Sequence, residues 1–172
     1  MQILLASAKI MNSTTTVQTP KTHLPRFKKE AGQMALELGD LSVEELAKVI
    51  PCNEKIALEN KLRYQDFFNE EAYLPALLAY YGQAYKCLKA QEYNQEDFSY
   101  ADKHLWITSF LYGLLRPLDL IHPYRLEGKA KLPSSEGKNM FAYWKPFLTD
   151  ILIEAVKADD GILVHLATEE LQ

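Results

Sequence analysis

The stretch Ser109-Phe110-Leu111-Tyr112-Gly113-Leu114-Leu115-Arg116-Pro117-Leu118-Asp119-Leu120-Ile121-His122-Pro123-Tyr124-Arg125-Leu126-Glu127 organises the chain. It crowds a turn glycine, two prolines, two arginines, two carboxylates and two tyrosines into one short segment. Gly113 and Pro117 bend it, and Leu114, Leu115, Leu118, Leu120 and Ile121 are expected to pin it to a core. Arg116, Asp119, Tyr124, Arg125 and Glu127 mark its exit. A fixed loop carrying polar groups is a common design for a binding site. The alternative is a packed turn whose arginines pair with its own carboxylates.

Before this stretch, Leu105-Trp106-Ile107-Thr108 is β-branched and aromatic and suits a strand. A helical continuation through Phe110–Leu115 is the rival, and the glycine and proline favour strand then loop. After it, Gly128–Lys138 is a polar, basic loop, and Asn139 caps the best helix of the chain. Met140, Trp144, Phe147, Leu148, Ile151, Leu152 and Ala155 follow its apolar stripe, and Pro146 kinks it or starts its second half. Asp159-Asp160-Gly161 is a turn, and Ile162–Leu166 a last strand. Strand, long helix, strand is a βαβ unit. Ile3-Leu4-Leu5-Ala6 supplies a further buried strand. The expected fold is therefore α/β, helix-rich, with a small mainly parallel sheet (strands near 2–6, 105–109 and 162–166) in one domain over residues 1–172. Parallel strands share a carboxyl-end rim, where α/β sheets place ligands. Lys9, Ser109 with the loop after it, and Thr168-Glu169-Glu170 are expected to converge there.

The intervening residues read as scaffold. Residues 11–24 form a loop placed to cover the end of strand one. Pro25 opens a helix with Phe27, Ala31, Met34 and Leu38 on one face, and Gly39 ends it. Ser42 and Glu45 form a capping box for a helix stopped by Pro51. A third helix begins after Asn53 with Leu58 and Leu62 inward. Pro75–Tyr81 is an apolar helical piece broken by Gly82. Tyr85 either lines a pocket or packs with its hydroxyl at the surface. Asn94 and Asp97 cap a helix running to about His104.

A chain of 172 residues with 48% hydrophobic content can bury a real core. Its net charge of −4 argues against a generally basic nucleic-acid binder. The charge is uneven, however. From Lys103 to Lys145 seven cations face three acids, a local +4 that leaves −8 elsewhere. Cys52 and Cys87 have neither C-x-x-C nor metal-ligand spacing, which fits a reducing cytoplasm, and nothing local marks either as an activated thiolate. His104, His122 and His165 are scattered, so neither a metal nor a cofactor is expected. No segment has the length and apolarity of a membrane span or a signal peptide.

The opening stretch closely resembles the motif of the YaaA family of bacterial peroxide-stress proteins, Ser-x-Leu-Tyr-Gly-x-Leu-Arg-Pro-Leu-Asp-x-Ile-x-Pro-Tyr-Arg-Leu-Glu. Ser109, Leu111, Tyr112, Gly113, Leu115, Arg116, Pro117, Leu118, Asp119, Ile121, Pro123, Tyr124, Arg125, Leu126 and Glu127 fit it. Around it the match is looser. Ala8 and Lys9 fit the family's Ser-Pro-Ala-Lys-Thr. Gln83 replaces the acid of its Gly-Asp-Val-Tyr. Leu166, Ala167 and Glu170 fit its Asn-Leu-Ala-Ser-x-Glu-Tyr, after which family members continue, so this chain resembles a C-terminally truncated form.

The resemblance implies protection from hydrogen peroxide by limiting iron-dependent damage, and sequence-independent DNA binding through a positive cleft and a helix-hairpin-helix-like element. Leu111–Pro117 is the expected hairpin, with Gly113 allowing close backbone approach. Lys9, Gly113, Arg116, Arg125 and Lys129 are the expected phosphate contacts. Ser109, Tyr112, Asp119, Tyr124, Glu127 and Glu170 are the expected pocket lining. Two other classes stay open: an enzyme acting on a nucleotide or nucleobase at the rim, and a protein-interaction domain.

Overall fold

The apolar run at the start of the chain forms β1 (Gln2–Ala6) in a computed structural model of the protein, which describes residues 1–167. The elements that follow are α1 (Lys28–Asp40), α2 (Val43–Val49), α3 (Glu54–Gln65), β2 (Leu74–Pro75), α4 (Ala76–Ala79), α5 (Gln83–Leu88) and α6 (Gln95–His104). Then come β3 (Leu105–Ser109), β4 (Gly113–Leu115), β5 (Leu120–Ile121), α7 (Met140–Lys157) and β6 (Leu163–His165). The fold is α/β.

The main sheet runs in the order β4-β3-β1-β6. β1 lies parallel to both neighbours, with Leu5 opposite Ile107 and Leu4 opposite His165. β4 folds back antiparallel to β3, so that Ser109 faces Gly113. The chain thus leaves β3, makes this tight hairpin, and crosses by way of α7 to the far side of β1. A separate antiparallel pair joins β2 to β5.

Local signals and packing agree over much of the chain. Ser42 and Glu45 close a reciprocal capping box on α2, and Asn94 and Asp97 do the same on α6. Asn139 accepts from the Ala142 N–H at the start of α7. On α1, Ala31, Met34 and Leu38 are fully buried, beside Leu46 and Ile50 of the next helical segment. Full burial of each large aliphatic side chain contributes about 1.5–3 kcal/mol. The Met1 amine reaches Asp159 at 2.6 Å and Asp160 at 2.7 Å, and this tacks the start of β1 to the turn between α7 and β6.

Several expectations are corrected. α1 starts at Lys28, because Pro25–Phe27 form a turn that places Phe27 edge-on to Phe147. Gly39 lies inside α1, against Tyr64. The inward face of α3 is Ala57, Asn60 and Tyr64; Leu58 and Leu62 are 48% and 57% exposed. Small Ala57 lets the helix approach its neighbours, and Tyr64 reaches across to donate to the Arg125 carbonyl. The Tyr85 hydroxyl is not at the surface: it donates to the Ala6 carbonyl at 2.6 Å and steadies the end of β1. α7 continues through Pro146, whose side chain faces solvent, and Phe147 is 38% exposed rather than buried.

Candidate functional site

Where β1 ends, Ser7-Ala8-Lys9 turns away from the sheet, and the Ser7 N–H still reaches the Thr108 carbonyl of β3 at 3.0 Å. The segment Tyr124–Lys129 passes beside it. Between the two lies a cavity of about 430 Å³, walled further by Phe110, Phe141 and Pro51. Gly128 makes this approach possible. A Cβ built there would sit 2.2 Å from the Phe141 ring, and the Gly128 carbonyl accepts from the Met140 N–H at 2.9 Å. The loop is thereby clamped to the start of α7.

Cations dominate the mouth. Lys9 and Arg125 both reach Glu127, at 3.2 and 3.3 Å, so one carboxylate is shared by two positive groups. Lys129 is exposed and has no carboxylate partner among the described residues. Lys9 keeps 67% of its side chain in water, where Arg125 keeps 20%. Lys129 is therefore free to meet an anion, Lys9 reaches Glu127 from the solvent side, and Arg125 is a held donor.

A chain of hydroxyls lies beneath. Ser109 and Tyr124 meet at 2.5 Å, and Tyr124 meets Tyr80 at 2.7 Å. The Ser109 Oγ also accepts the Tyr112 N–H at 2.9 Å, which ties the relay to the hairpin. Burial pushes the Tyr80 and Tyr124 phenols upward, so both stay protonated and serve as hydrogen-bond donors. Among the described residues, no histidine or carboxylate stands within hydrogen-bond reach of Ser109, and none of them forms a nucleophile–base pair with it. Cys52 senses Arg125 and Glu127, yet burial raises its thiol, which keeps it in the unreactive form. Among the described residues, no three His, Cys, Asp or Glu side chains group to hold a metal ion.

The expected residues divide. Lys9, Tyr124, Arg125, Glu127 and Lys129 line the cavity, and Ser109 lies one hydrogen bond below it. Tyr112 belongs to the core, its hydroxyl accepting the His122 N–H at 3.0 Å and its ring stacked on Phe67. Gly113 has φ +73° and faces Trp144, where an added Cβ would lie 2.6 Å from the ring. Its freedom serves the β3–β4 turn. Leu111–Pro117 is a buried β-hairpin rather than a hairpin between helices, because β4 pairs back onto β3. Glu170 lies outside the described residues, as do Thr168 and Glu169.

Arg116 and Asp119 form a second cluster with His23 and Asp102. The His23 ring sits between the two carboxylates: Nδ1 meets Asp119 and Nε2 meets Asp102 at 2.8 Å. Arg116 Nη2 approaches Nε2 at 3.3 Å. Asp119 also accepts the Arg116 N–H at 2.7 Å, and Asp102 the Leu118 N–H at 2.9 Å. Burial raises the Asp119 carboxyl, against the lowering effect of these bonds. The cluster staples loop 11–24 and α6 to the turn after β4, and it ties the Arg116 side chain to His23, away from the cavity. Sequence reading missed His23 and Asp102, which carry no spacing signal, and missed Phe110 and Phe141 as walls of the cavity.

A sequence profile of the family described as "Peroxide stress protein YaaA" matches residues 1–172. The chain is 50% identical over 173 aligned residues to a UPF0246 protein of Bacteroides fragilis, covering 100% of this chain and 67% of that one. It is likewise 50% identical to a UPF0246 protein of Phocaeicola vulgatus, with 68% of that chain covered. With a UPF0246 protein of Porphyromonas gingivalis the identity is 42% over 180 aligned residues, again with 68% covered. The chain thus spans about two thirds of the length of these relatives.

Proposed function

The chain belongs to the YaaA peroxide-stress family, and from that premise we propose that the cationic mouth at the carboxyl ends of β1 and β3 binds the DNA phosphate backbone without reading sequence. One observation carries this reading: Lys9 and Arg125 share a single carboxylate, Glu127, and Lys129 lines the same cavity, on the rim where a parallel sheet places ligands. Two exposed lysines and one held guanidinium suit phosphate oxygens, and such contacts position a protein without specifying bases.

The same chemistry accounts for a role against iron-dependent damage in the cytoplasm. DNA carries a condensed layer of counterions, and cationic side chains docking on phosphates release them. Ferrous ions held at the backbone generate oxidants there from peroxide; a protein that displaces them moves that chemistry away from DNA.

A second reading rests on the recess itself. At about 430 Å³, with Phe110, Phe141 and the Tyr124 hydroxyl inside, the cavity falls in the size range of small-ligand pockets. A nucleotide or nucleobase bound there, with its phosphate at the lysines, fits an enzyme of this family. Titrating the protein with duplex DNA and with a nucleoside monophosphate, each in competition with the other, separates the two. Duplex binding that millimolar mononucleotide does not displace supports the backbone reading. Tight mononucleotide binding with no affinity for duplex overturns it in favour of the second.

A further inference from the structure

Sharing no residue with that cavity, one face of α1 borders a hollow of about 590 Å³. Its floor is apolar and open. Leu36 and Phe68 are 52% and 54% exposed, flanked by Tyr73 and Leu120. Phe68 is held from below, edge-on to the buried Phe67 at 5.5 Å. Arg26, Lys28 and Lys29 form the rim. Among the described residues none of the three makes an ion pair. Unneutralised cations gathered beside exposed apolar side chains, in a chain of net charge −4, define a complementary partner: apolar at its centre, acidic at its edges.

We propose that this hollow docks a short amphipathic, acidic peptide segment of a partner protein. Apolar anchors rest on Leu36 and Phe68, and carboxylates meet Arg26, Lys28 and Lys29. The stripe Lys29, Gly32, Gln33, Leu36 follows the helical repeat, so the floor runs along α1 and suits a helix laid in a groove. A nucleic-acid strand is the poorer fit. It requires open ring faces for stacking, whereas of the four rings lining the hollow Phe67 and Tyr112 are buried and Lys28 lies over Tyr73 at 6.0 Å, which leaves Phe68 alone to stack a base.

The test uses the protein with three probes followed by fluorescence anisotropy. One is a labelled helical peptide with Leu and Phe on one face and Glu on the other, the second its twin with every Glu replaced by Lys, and the third a single-stranded oligonucleotide. The acidic peptide is expected to bind and the basic twin not. Arg26→Glu/Lys29→Glu, both at exposed positions, is expected to weaken the acidic peptide by about tenfold or more and to create binding of the basic twin. Leu36→Gln is expected to weaken it without changing charge preference. Circular dichroism of each variant confirms that the fold is intact. Equal binding of the two peptides, no response to charge reversal, or oligonucleotide binding lost on charge reversal with no peptide binding overturns the proposal. So does concentration-dependent self-association abolished by Leu36→Gln, which assigns the face to a second copy.

Discussion

The hydroxyls of Ser109 and Tyr124 meet at 2.5 Å beneath the cavity, joining the last residue of β3 to the loop that carries Arg125, Glu127 and Lys129. Tyr124 is bonded on its other side to Tyr80, so a single phenol fixes the height of the loop over the sheet. Tyr124→Phe removes both bonds and leaves two buried hydroxyls without this partner. Ser109 still accepts the Tyr112 N–H, so Tyr80 is the group that loses most, and leaving one buried polar group unsatisfied costs about 1–3 kcal/mol. Urea unfolding is expected to show a loss of stability in that range with an unchanged m-value, together with weaker anion binding as the loop lifts.

Gly113 has a structural duty. Its positive φ and the Trp144 ring at 2.6 Å from any added Cβ leave no room for a side chain. Gly113→Ala is expected to lower stability by about 2–4 kcal/mol, since left-handed strain and overpacking act together. Thermal melts check the loss. Binding measured well below the new midpoint is expected to equal that of the parent, because the residue does not touch the cavity.

Glu127 restrains the rim by pairing with Lys9 and Arg125. Glu127→Gln frees both cations and adds one net positive charge at the mouth. Affinity for duplex DNA at low salt is expected to rise several-fold, with a steeper fall as salt is added. Weaker binding would assign Glu127 a direct role toward the ligand.

The amino-terminal seam responds to pH at both ends of its range. Asp159 and Asp160 are held below the ordinary carboxylate value of 3.8 by the Met1 amine. Their contribution is complete above 3.8 and is lost as pH falls through the depressed folded values. The amine is raised above its ordinary 8.0, chiefly by Asp159. Its contribution is complete below 8.0 and is lost as pH rises through the raised value. The Gln2 side-chain amide donates to Asp159 at 2.8 Å and reports the seam. In a His104→Gln variant, which removes the imidazole 3.6 Å from the same carboxylate oxygen, the NMR shift of this amide is expected to stay flat between 3.8 and 8.0 and to move outside that window. Acetylation of the amine is expected to abolish the alkaline step.

What the sequence made legible was local. The strands near 2–6 and 105–109, both capping boxes and the α7 cap follow from periodicity and side-chain chemistry, and all five are present. What escaped was set by tertiary packing. Leu58 and Leu62 share a helical spacing with Ala57 and Tyr64, and only docking of α3 decides which pair turns inward. Arg116 and Arg125 looked equivalent, both next to a carboxylate. The fold of β4 onto β3 sends Arg116 to His23, and Pro123–Tyr124 bring Arg125 back to Lys9. No spacing reveals that separation, because the deciding partners, His23 and Asp102, lie 93 and 14 residues from Arg116 in sequence.

In the proposed complex Lys9, Arg125 and Lys129, and not Arg116, meet phosphate. The most direct measurement is duplex DNA affinity across a salt series for the parent protein, Lys9→Gln, Lys129→Gln and Arg116→Gln. Each lysine variant is expected to bind more weakly and to reduce the slope of log affinity against log salt by about 0.9. Arg116→Gln is expected to keep the parent slope. A slope unchanged in both lysine variants, or reduced only in Arg116→Gln, rules out phosphate binding at this mouth.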